Sequence, residues 1–482
     1  MKNIILLITD TYRYDNLRDR AAAMPVRTPE LDRFAAERAA EVHGFYTGSF
    51  PTIPHRTDVA TGRLGWPHYG WQNIDKSGTN HVAKMLGQAG YVSQLICDCP
   101  HLFKADFDQG FTAAYHERGQ EGDKPLLHLN DPIREVMPPE KTRLKPMFQG
   151  KHTLAATHRW TNRYPQLEEE SFPAKTGGTV CRWLEENYQA GPFFLWADFF
   201  DPHEPWDAPD YLVRRYDPDY GGTPMIHPNY GRSSDYTDAE LHNLRAQYCA
   251  EAELIDRWLG RVLQKVDDLG LWDDSVVVIT SDHGMSLGEH GRTGKTNISD
   301  GDDRYWPIYP EIGHVPFLIA APGVPRADHG LLAQPVDILP TVCDLAGVSP
   351  RPPEPFDGLS FADALRSGTG THRDLAVSGS FLRAEPGSVP ASATVPFIVD
   401  ERWGYAPVGA SGHPELYDLL ADPLAETDLA AANGAVIVGL HQRFLAYLQE
   451  NRAPADIVAA WGRNPRLDSD GSWAIDYPDP TI

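Results

Sequence analysis

Long apolar runs recur along the chain with helical patterns between them. Four of them, NIILLIT (3–9), YVSQLIC (91–97), PFFLWADFF (192–200) and SVVVITS (275–281), are predominantly apolar and rich in β-branched or aromatic side chains. Such runs are typical of strands buried on both faces of a parallel sheet, since a strand with one wet face alternates apolar and polar residues. They predict the strands of a large central sheet.

Between these runs, apolar residues recur at helical spacing. The longest such segment, 238–268, has leucine and aromatic side chains along one face, which predicts a helix packed on the core. Shorter helices are predicted over 80–90 and 175–189. Strands that alternate with helices predict an α/β fold in which helices cover a mostly parallel sheet.

The pattern changes near residue 371. Short strand candidates follow (LAVSGSF, ATVPFIVD and RWGYAPVG), and GAVIVGLHQRFLAYLQ, residues 434–449, predicts a closing helix. We therefore predict a main domain over residues 1–370 and a smaller α+β subdomain over residues 371–482, with a short antiparallel sheet and a terminal helix.

The net charge limits the kinds of partner that the chain can bind. Acidic residues number 67 against 43 basic ones, a formal charge of −24. Such a chain is repelled by a nucleic-acid duplex and by an anionic membrane surface. An anionic ligand would have to be held by local cations, whose short-range attraction outweighs a screened global field. The sequence does not determine whether the chain forms a homo-oligomer.

Cysteine usage and the N-terminal run bear on location. The five cysteines include no CxxC pair, and an odd number fits reduced thiols better than a disulfide framework. The run IILLI is too short for a membrane span, has no small-residue cleavage site after it and leads directly into Asp10. We expect a cytoplasmic protein.

Three of the predicted strands end in metal-binding residue types. Asp10 follows the first strand, Asp201 and His203 follow the third, and Asp282-His283 follows the fourth. Ligand sites in α/β sheets collect beyond the carboxyl ends of the strands, and aspartate and histidine together suit zinc or manganese. These residues are metal-ligand candidates. A helix N-cap is the alternative for Asp10, and a polar turn is the alternative for Asp201 and His203.

The segment Ser49–Arg63, SFPTIPHRTDVATGR, combines a hydroxyl with a cation at a predicted helix start. Thr52 precedes Pro54, which suits a first helical turn, and Arg56 lies on the same helix face as Thr52. An anionic ester there would meet unpaired backbone N–H groups, a guanidinium and a nucleophilic oxygen. The alternative is a capped helix after a proline-rich loop.

The spacing of Thr52, Pro54, Arg56 and Thr61-Gly62-Arg63 resembles the sulfatase signature, in which the first position is a cysteine converted to formylglycine, or sometimes a serine. The likeness spans nearly the whole chain and implies an alkaline phosphatase-like fold, in which residues 331–346 form a helix that closes the main domain. Threonine at the first position removes formylglycine chemistry and instead resembles the nucleotide pyrophosphatase/phosphodiesterase branch of the alkaline phosphatase superfamily.

The resemblance also implies roles for other residues. Lys295 follows the pattern Gly-Glu-His-Gly and would hold a substrate or leaving-group oxygen, and His203 would contact the substrate. Many sulfatases have Lys-x-His where this chain has Cys99 and His101, so His101 is a candidate to assist the leaving group. Asn73 lies where phosphonate monoester hydrolases keep an active-site asparagine. An ordinary surface lysine and a structural histidine are the alternatives for Lys295 and His101.

Departures from the sulfatase pattern suggest a second metal. Thr11 replaces the second of two aspartates, Asp201 is added and His314 stands where many sulfatases have arginine. One ion would be held by Asp10, Asp282 and His283 with Thr52, and a second by Asp201, His203 and His314. We expect two divalent ions per chain, zinc or manganese, with calcium the alternative if the site holds one ion.

These residues predict an enzyme that acts on a small anionic ester. In a two-metal site the alkoxide of Thr52 would attack phosphorus while Arg56 and Lys295 hold nonbridging oxygens, and water would then cleave the phosphothreonyl intermediate. We predict a metal-dependent hydrolase of phosphodiesters or phosphonate monoesters. A sulfatase that uses an unmodified hydroxyl is the alternative, and a non-catalytic anion-binding protein is the second.

Overall fold

The computed structural model describes most of the chain. The described residues are 1–18, 20, 22–68, 70–74, 80–142, 151–163, 167–296, 304–380, 394–410, 412–462, 465–467 and 473–475.

Strands and helices alternate through the first 350 residues. The strands are β1 (Asn3–Thr9), β2 (Ala40–Phe45), β3 (Ser49–Phe50), β4 (Val92–Cys97), β5 (Ala113–His116), β6 (Phe193–Phe199), β7 (Gly231–Arg232), β8 (Ser275–Ser281), β9 (Ser286–Leu287), β10 (Arg292–Gly294), β11 (Trp306–Pro307), β12 (Phe317–Ala320), β13 (Asp328–Ala333), β14 (Ala376–Ser380), β15 (Thr394–Val395), β16 (Phe397–Val399), β17 (Trp403–Ala406), β18 (Glu415–Asp418), β19 (Pro465–Leu467) and β20 (Trp473–Ile475). The α-helices are α1 (Pro29–Glu37), α2 (Thr52–Thr61), α3 (Val82–Gln88), α4 (Pro100–Lys104), α5 (Leu154–Thr161), α6 (Phe172–Asn187), α7 (Asp210–Tyr216), α8 (Asp238–Asp268), α9 (Pro310–Gly313), α10 (Ile338–Ala346), α11 (Ala362–Ser367), α12 (Gly434–Glu450) and α13 (Ala455–Trp461).

A large central sheet of eight strands confirms the predicted fold class. Its order is β13-β2-β12-β8-β1-β6-β4-β5, and only β12 runs antiparallel to its neighbours β2 and β8. Strands β1, β6 and β8 are buried along their whole length, as their continuous apolar sequences predict. Two large apolar clusters cover the two faces of this sheet, with helices packed over them.

Helix α8 has the predicted bounds, Asp238–Asp268. It begins with a capping box, in which the Thr237 side chain accepts from the N–H of Glu240 and the Glu240 carboxylate accepts from the N–H of Thr237. The helix packs against α6, α7 and α1, and its apolar face contributes to the core on one side of the sheet.

The helix expected over 331–346 is wrong at its start. Residues Asp328–Ala333 form strand β13, which pairs in parallel with β2, and α10 begins only at Ile338. The apolar residues of this segment lie in the edge strand of the central sheet. That position depends on tertiary contacts, which the helical spacing of apolar residues does not reveal.

A five-stranded sheet, in the order β18-β17-β16-β14-β3, lies mostly in the last quarter of the chain. Its fifth strand is β3, which pairs in parallel with β14 through Gly379 to Ser49 and Ser380 to Phe50. The small sheet therefore includes, and fixes in place, the chain just before Thr52. The boundary near residue 371 stays a prediction. Within the described ranges, no helix has both the length and the apolarity that crossing a bilayer requires.

Candidate active site

The carboxyl ends of β1 and β8 bring three ligand candidates together. The backbone N–H of Asp10 donates to Phe199 at 2.9 Å and that of Asp282 donates to Thr9 at 3.2 Å, so both residues continue the strand ladder at one edge. Ligand atoms of Asp10, Asp282 and His283 lie within 4.8 Å of one another, and all three side chains are buried.

His283 has the protonation pattern of a metal ligand. Its Nδ1–H donates to the carbonyl of Gly284 at 3.0 Å, and Nε2 has no hydrogen-bond partner among the described residues. That nitrogen lies 3.8 Å from Asp10 Oδ1 and 3.4 Å from Asp282 Oδ2. Burial, followed by the charge of Lys295, lowers the pKa of His283 to about 3, so the ring is neutral with its lone pair toward the carboxylates. Metal-ligating histidines are commonly fixed by such a bond at the other nitrogen. The three residues fit a divalent cation.

Thr52 is the first residue of α2, and its hydroxyl points at this cluster. Oγ1 lies 3.3 Å from Asp10 Oδ2. The carboxylate of Asp58 holds both ends of the segment, because it accepts from the N–H of Ser49 at 2.8 Å and from the N–H of Gly65 at 2.6 Å. Gly62 caps the C-terminal end of the helix, and its φ of +62° suits glycine. The signature segment thus fixes one hydroxyl against one metal-ligand candidate.

Arg56 does not point to open space for a substrate. Its side chain is fully buried, and it donates to Asp198 from Nε at 3.1 Å and from Nη2 at 2.9 Å. Nη1 is ion-paired with Asp282, and Nη2 lies 3.6 Å from Asp10. The predicted role of Arg56, holding nonbridging oxygens of the substrate, does not fit this arrangement. The guanidinium instead orients and partly neutralises three carboxylates.

Asp198 is the residue that the sequence reasoning missed. It lies inside β6, fully buried, and also accepts from the indole N–H of Trp196 at 3.0 Å. A charged residue within an otherwise apolar strand needs a partner, and that was the available signal.

Lys295 reaches the cluster from β10. Nζ donates to Thr11 Oγ1 at 3.4 Å and lies 3.9 Å from Asp10 Oδ1. Thr11 itself donates to Asp10 Oδ1 at 2.8 Å from its hydroxyl and to Asp282 Oδ1 at 3.0 Å from its backbone N–H. Thr52 and Lys295 therefore approach different oxygens of the Asp10 carboxylate. Lys295 is only 6% exposed, which argues against an ordinary surface lysine.

His203 is buried and lies within range of the charge of Lys295. Its Nδ1–H donates to the carbonyl of Glu204 at 2.5 Å, and its ring stacks on Phe200 with centroids 4.0 Å apart. Burial and then the charge of Lys295 hold the pKa of His203 well below its usual value. The His203 ring is accordingly neutral, with Nδ1–H used in the bond to Glu204.

His101 and Asn73 lie farther out. His101 is paired through Nε2 with the carboxylate of Glu121, and its ring packs edge-on against Trp71. The exposed side chain of Asn73 donates to Asp106 at 2.6 Å. The structure shows Asn73 holding a loop, and its predicted contact with a substrate stays a prediction.

The second metal site is not assembled. Asp201 Oδ1 accepts from Gln120 at 3.0 Å, whereas His314 is stacked between Tyr14 and Tyr46 and donates from Nε2 to the carbonyl of His43 at 2.6 Å. Across the described ranges, Asp201, His203 and His314 do not form a group with ligand atoms within 4.8 Å of one another. The structure therefore does not support a second ion held by these three side chains.

Comparisons with known proteins identify the family. A family model described as Sulfatase matches residues 2–348. The multifunctional alkaline phosphatase superfamily protein PehA of Trinickia caryophylli is 25% identical over 511 residues, covering 92% of this chain and 95% of that protein. The choline-sulfatase of Rhizobium meliloti is 26% identical over 465 residues, covering 89% and 82%.

A likeness to a solved structure supports the fold. The crystal structure of the phosphonate monoester hydrolase of Agrobacterium radiobacter superimposes with a TM-score of 0.70 at 22% identity, covering 99% of this chain and 100% of that one. The chain belongs to the sulfatase family, within the alkaline phosphatase superfamily. It is a hydrolase of ester bonds, and enzymes of this family depend on a divalent cation.

Proposed function

We propose that this chain is a metal-dependent hydrolase of phosphodiesters or phosphonate monoesters that uses Thr52 as its nucleophile. The observation that carries the proposal is the Thr52 hydroxyl, 3.3 Å from Asp10 Oδ2 at the buried carboxylate–histidine cluster. The residue in this place is a threonine, which cannot become formylglycine. Burial raises the pKa of all five thiols in the chain, so none is a ready thiolate.

Asp10, Asp282 and His283 would hold a divalent cation, which would supply Lewis-acid charge at this point of the site. Thr52 Oγ attacks phosphorus and forms the P–O bond of a phosphothreonyl intermediate, while its proton passes to Asp10 Oδ2. The bond from phosphorus to the leaving oxygen breaks, and the ammonium of Lys295 protonates that oxygen.

The second half of the reaction returns the nucleophile Thr52 and the acid Lys295 to their starting states. Water attacks phosphorus, its proton passes to the Lys295 amine, and the bond between phosphorus and Thr52 Oγ breaks. Asp10 then returns its proton to Thr52. Arg56 keeps the carboxylates in place throughout and moves no proton.

The proposal of a phosphorus ester as substrate, rather than a sulfate ester, rests on the second half of the reaction. Formylglycine expels a bound sulfate by elimination from a geminal diol, whereas a threonyl sulfate has no such exit. Attack of water at phosphorus is an ordinary route out of a phosphothreonine. The likeness to PehA and to a phosphonate monoester hydrolase supports this choice, and the likeness to a choline-sulfatase supports a sulfatase instead.

The test is a comparison of kcat/KM for four 4-nitrophenyl substrates: a phosphodiester, a phosphonate monoester, a phosphate monoester and a sulfate ester. All four substrates have the same leaving group, so differences in kcat/KM between them reflect the acid part of the ester. We expect kcat/KM for the diester or the phosphonate to exceed kcat/KM for the sulfate ester by at least about a hundredfold, because an enzyme distinguishes substrates by how strongly it binds their transition states. Metal-stripped enzyme, and the same enzyme after metal is restored, provide the control. A preference for the sulfate ester would overturn the proposal.

A further inference from the structure

Tyr230 packs on the glycine that directly precedes Lys295. Strand β7 pairs with β10 in antiparallel register, with Gly231 opposite Thr293, so the next position along brings Tyr230 beside Gly294. A Cβ built on Gly294 would lie 2.6 Å from Cδ1 of the Tyr230 ring, and Gly294 has a φ of +94°. Only glycine fits there. The tyrosine ring therefore lies close against the backbone of β10, one residue before Lys295.

The backbone of Tyr230 has an unusual conformation. Its φ is +55°, which a bulky residue seldom adopts, and the side chain is buried. The preceding side chain, Asn229, accepts from the N–H of Gly231 at 2.9 Å and from the hydroxyl of Thr293, and the ring of His227 stacks against Tyr230 with centroids 6.0 Å apart. Such a conformation persists only where the surroundings hold it, and it is most common at functional sites.

The hydroxyl of Tyr230 ties the ring to a second part of the site. It donates to the carboxylate of Glu204, which is fully buried in the turn after β6. Glu204 Oε2 lies 3.5 Å from His203 Nδ1, and the Glu204 carbonyl accepts from the same nitrogen at 2.5 Å. Tyr230 therefore joins the turn after β6, through its hydroxyl, to β10, through its ring.

The ammonium of Lys295 is held loosely at its tip. Nζ lies 3.4 Å from Thr11 Oγ1 and 3.9 Å from Asp10 Oδ1, and both distances are long for a hydrogen bond. Lysine has a long flexible stem, so the place of its ammonium depends on where its backbone is fixed. The proposed mechanism gives no role to Tyr230, yet the tyrosine ring lies at that point of the backbone.

We propose that Tyr230 is a positioning residue, which fixes the start of the Lys295 side chain so that its ammonium reaches the leaving oxygen. The inference rests on the proposed function, because it takes Lys295 as the acid that protonates that oxygen. Tyr230 acts through Lys295 and moves no proton.

The test compares phenyl and 4-nitrophenyl esters of methylphosphonic acid. Phenolate is the poorer leaving group and depends more on protonation, so a displaced acid slows the phenyl ester more. For Tyr230→Ala we expect kcat for the phenyl ester to fall roughly a hundredfold, because a misplacement of about 1 Å can cost that factor, with KM little changed. The loss for the 4-nitrophenyl ester should be clearly smaller.

Tyr230→Phe separates the ring from the hydroxyl. It keeps the contact with Gly294 and should therefore restore most of the activity. If Tyr230→Ala does not fold, Tyr230→Leu fills the space without a flat ring and should show the same pattern. Tyr91→Ala is the matched control, since it removes a buried tyrosine ring just before β4, at the opposite edge of the sheet, and should slow both esters equally or not at all.

A double substitution tests whether the effect passes through the lysine. Lys295→Ala should itself slow the phenyl ester more than the 4-nitrophenyl ester. Adding Tyr230→Ala to Lys295→Ala should not increase this difference, because residues that act through one route are not additive.

Three results would overturn the inference. They are equal losses for both esters in Tyr230→Ala, equal losses in Tyr230→Phe and Tyr230→Ala, and a larger difference between the esters in the double variant than in Lys295→Ala. Failure of the proposed function is distinguishable, because Lys295→Ala alone would then slow both esters equally and the acid assignment would fall with the inference. If sulfate esters prove to be the better substrates, the same comparison with phenyl and 4-nitrophenyl sulfate decides the role of Tyr230.

Discussion

Among the residues that the structure describes, two groups of side chains have the composition of a metal site. Asp10, Asp282 and His283 form one, and Glu41, His43 and Asp328 form the other, each with ligand atoms within 4.8 Å of one another. We call them the inner and the outer cluster. Both contain two carboxylates and one histidine, yet their surroundings differ in charge and in exposure.

In the outer cluster the charges are already balanced. Arg18 lies 2.8 Å from Glu41 and 3.4 Å from Asp328, and Arg20 lies 2.5 Å from Glu41. Asp328 is 61% exposed, so water also solvates it. Two guanidinium groups therefore stand where a cation would bind.

In the inner cluster the charges are not balanced. Arg56 and Lys295 face Asp10, Asp198 and Asp282, all of them buried, so one negative charge remains uncompensated. A buried unpaired charge is costly, and a divalent cation would relieve that cost. The comparison teaches that ligand types alone do not make a metal site, because neighbouring cations decide whether one is needed.

Removing the nucleophile should have the largest effect. Thr52→Ala is expected to lower kcat by at least about 10⁴-fold, the scale of losses when a nucleophile is removed. The metal content measured by mass spectrometry should be retained, since Asp10, Asp282 and His283 remain. Thr57→Ala is a matched control, because that hydroxyl donates within α2 to Ile53 at 3.0 Å. Substantial residual turnover in Thr52→Ala would refute the assignment.

A paired substitution tests the two clusters directly. Asp282→Asn should weaken metal binding at least about 10–100-fold, the loss typical of even an outer-shell partner, and activity should fall with it. Asp328→Asn in the outer cluster should change neither metal content nor kcat/KM. Equal metal loss in both variants would mean that the outer cluster binds an ion despite Arg18 and Arg20.

The smallest effect concerns a charged histidine. His290 is bonded to Glu311 and to the carbonyl of Ala425, both at 2.9 Å, and despite burial the carboxylate raises the pKa of His290 to about 9. A group whose pKa is raised on folding stabilises the folded protein. For His290 this stabilisation is fully present below the unfolded pKa near 6.5, and it is lost as pH rises through the folded pKa near 9.

His290→Gln should therefore remove a decline in the free energy of unfolding between pH 6.5 and 9, on the order of 1–3 kcal/mol, measured by denaturant titration. His314→Gln is the control. Burial lowers the pKa of His314 to about 3, so the folded ring stays neutral and only the unfolded ring titrates, near 6.5; the loss of His314 should therefore shift stability by a constant amount above about pH 7.5. An unchanged pH slope in His290→Gln would show that another group titrates.

Sequence reasoning located Asp10, Asp282 and His283 because each follows a strand whose apolar run is unmistakable. It predicted Thr52 from a hydroxyl at a helix start, and it predicted Lys295 from the resemblance to the sulfatase pattern Gly-Glu-His-Gly. It did not assign Asp198 to the site, and it gave Arg56 to the substrate, because an ion pair between residues 142 positions apart leaves no local trace.

The amino-acid sequence by itself determined the alternation of strands and helices, the strand ends that carry polar residues and the helix start that carries Thr52. These features follow from local patterns of side chains. Only the tertiary structure decided which polar residues meet. Strand order brings Asp198 beside Arg56 and leaves His314 between two tyrosine rings, since the positions of chain segments in space depend on packing across the whole sheet.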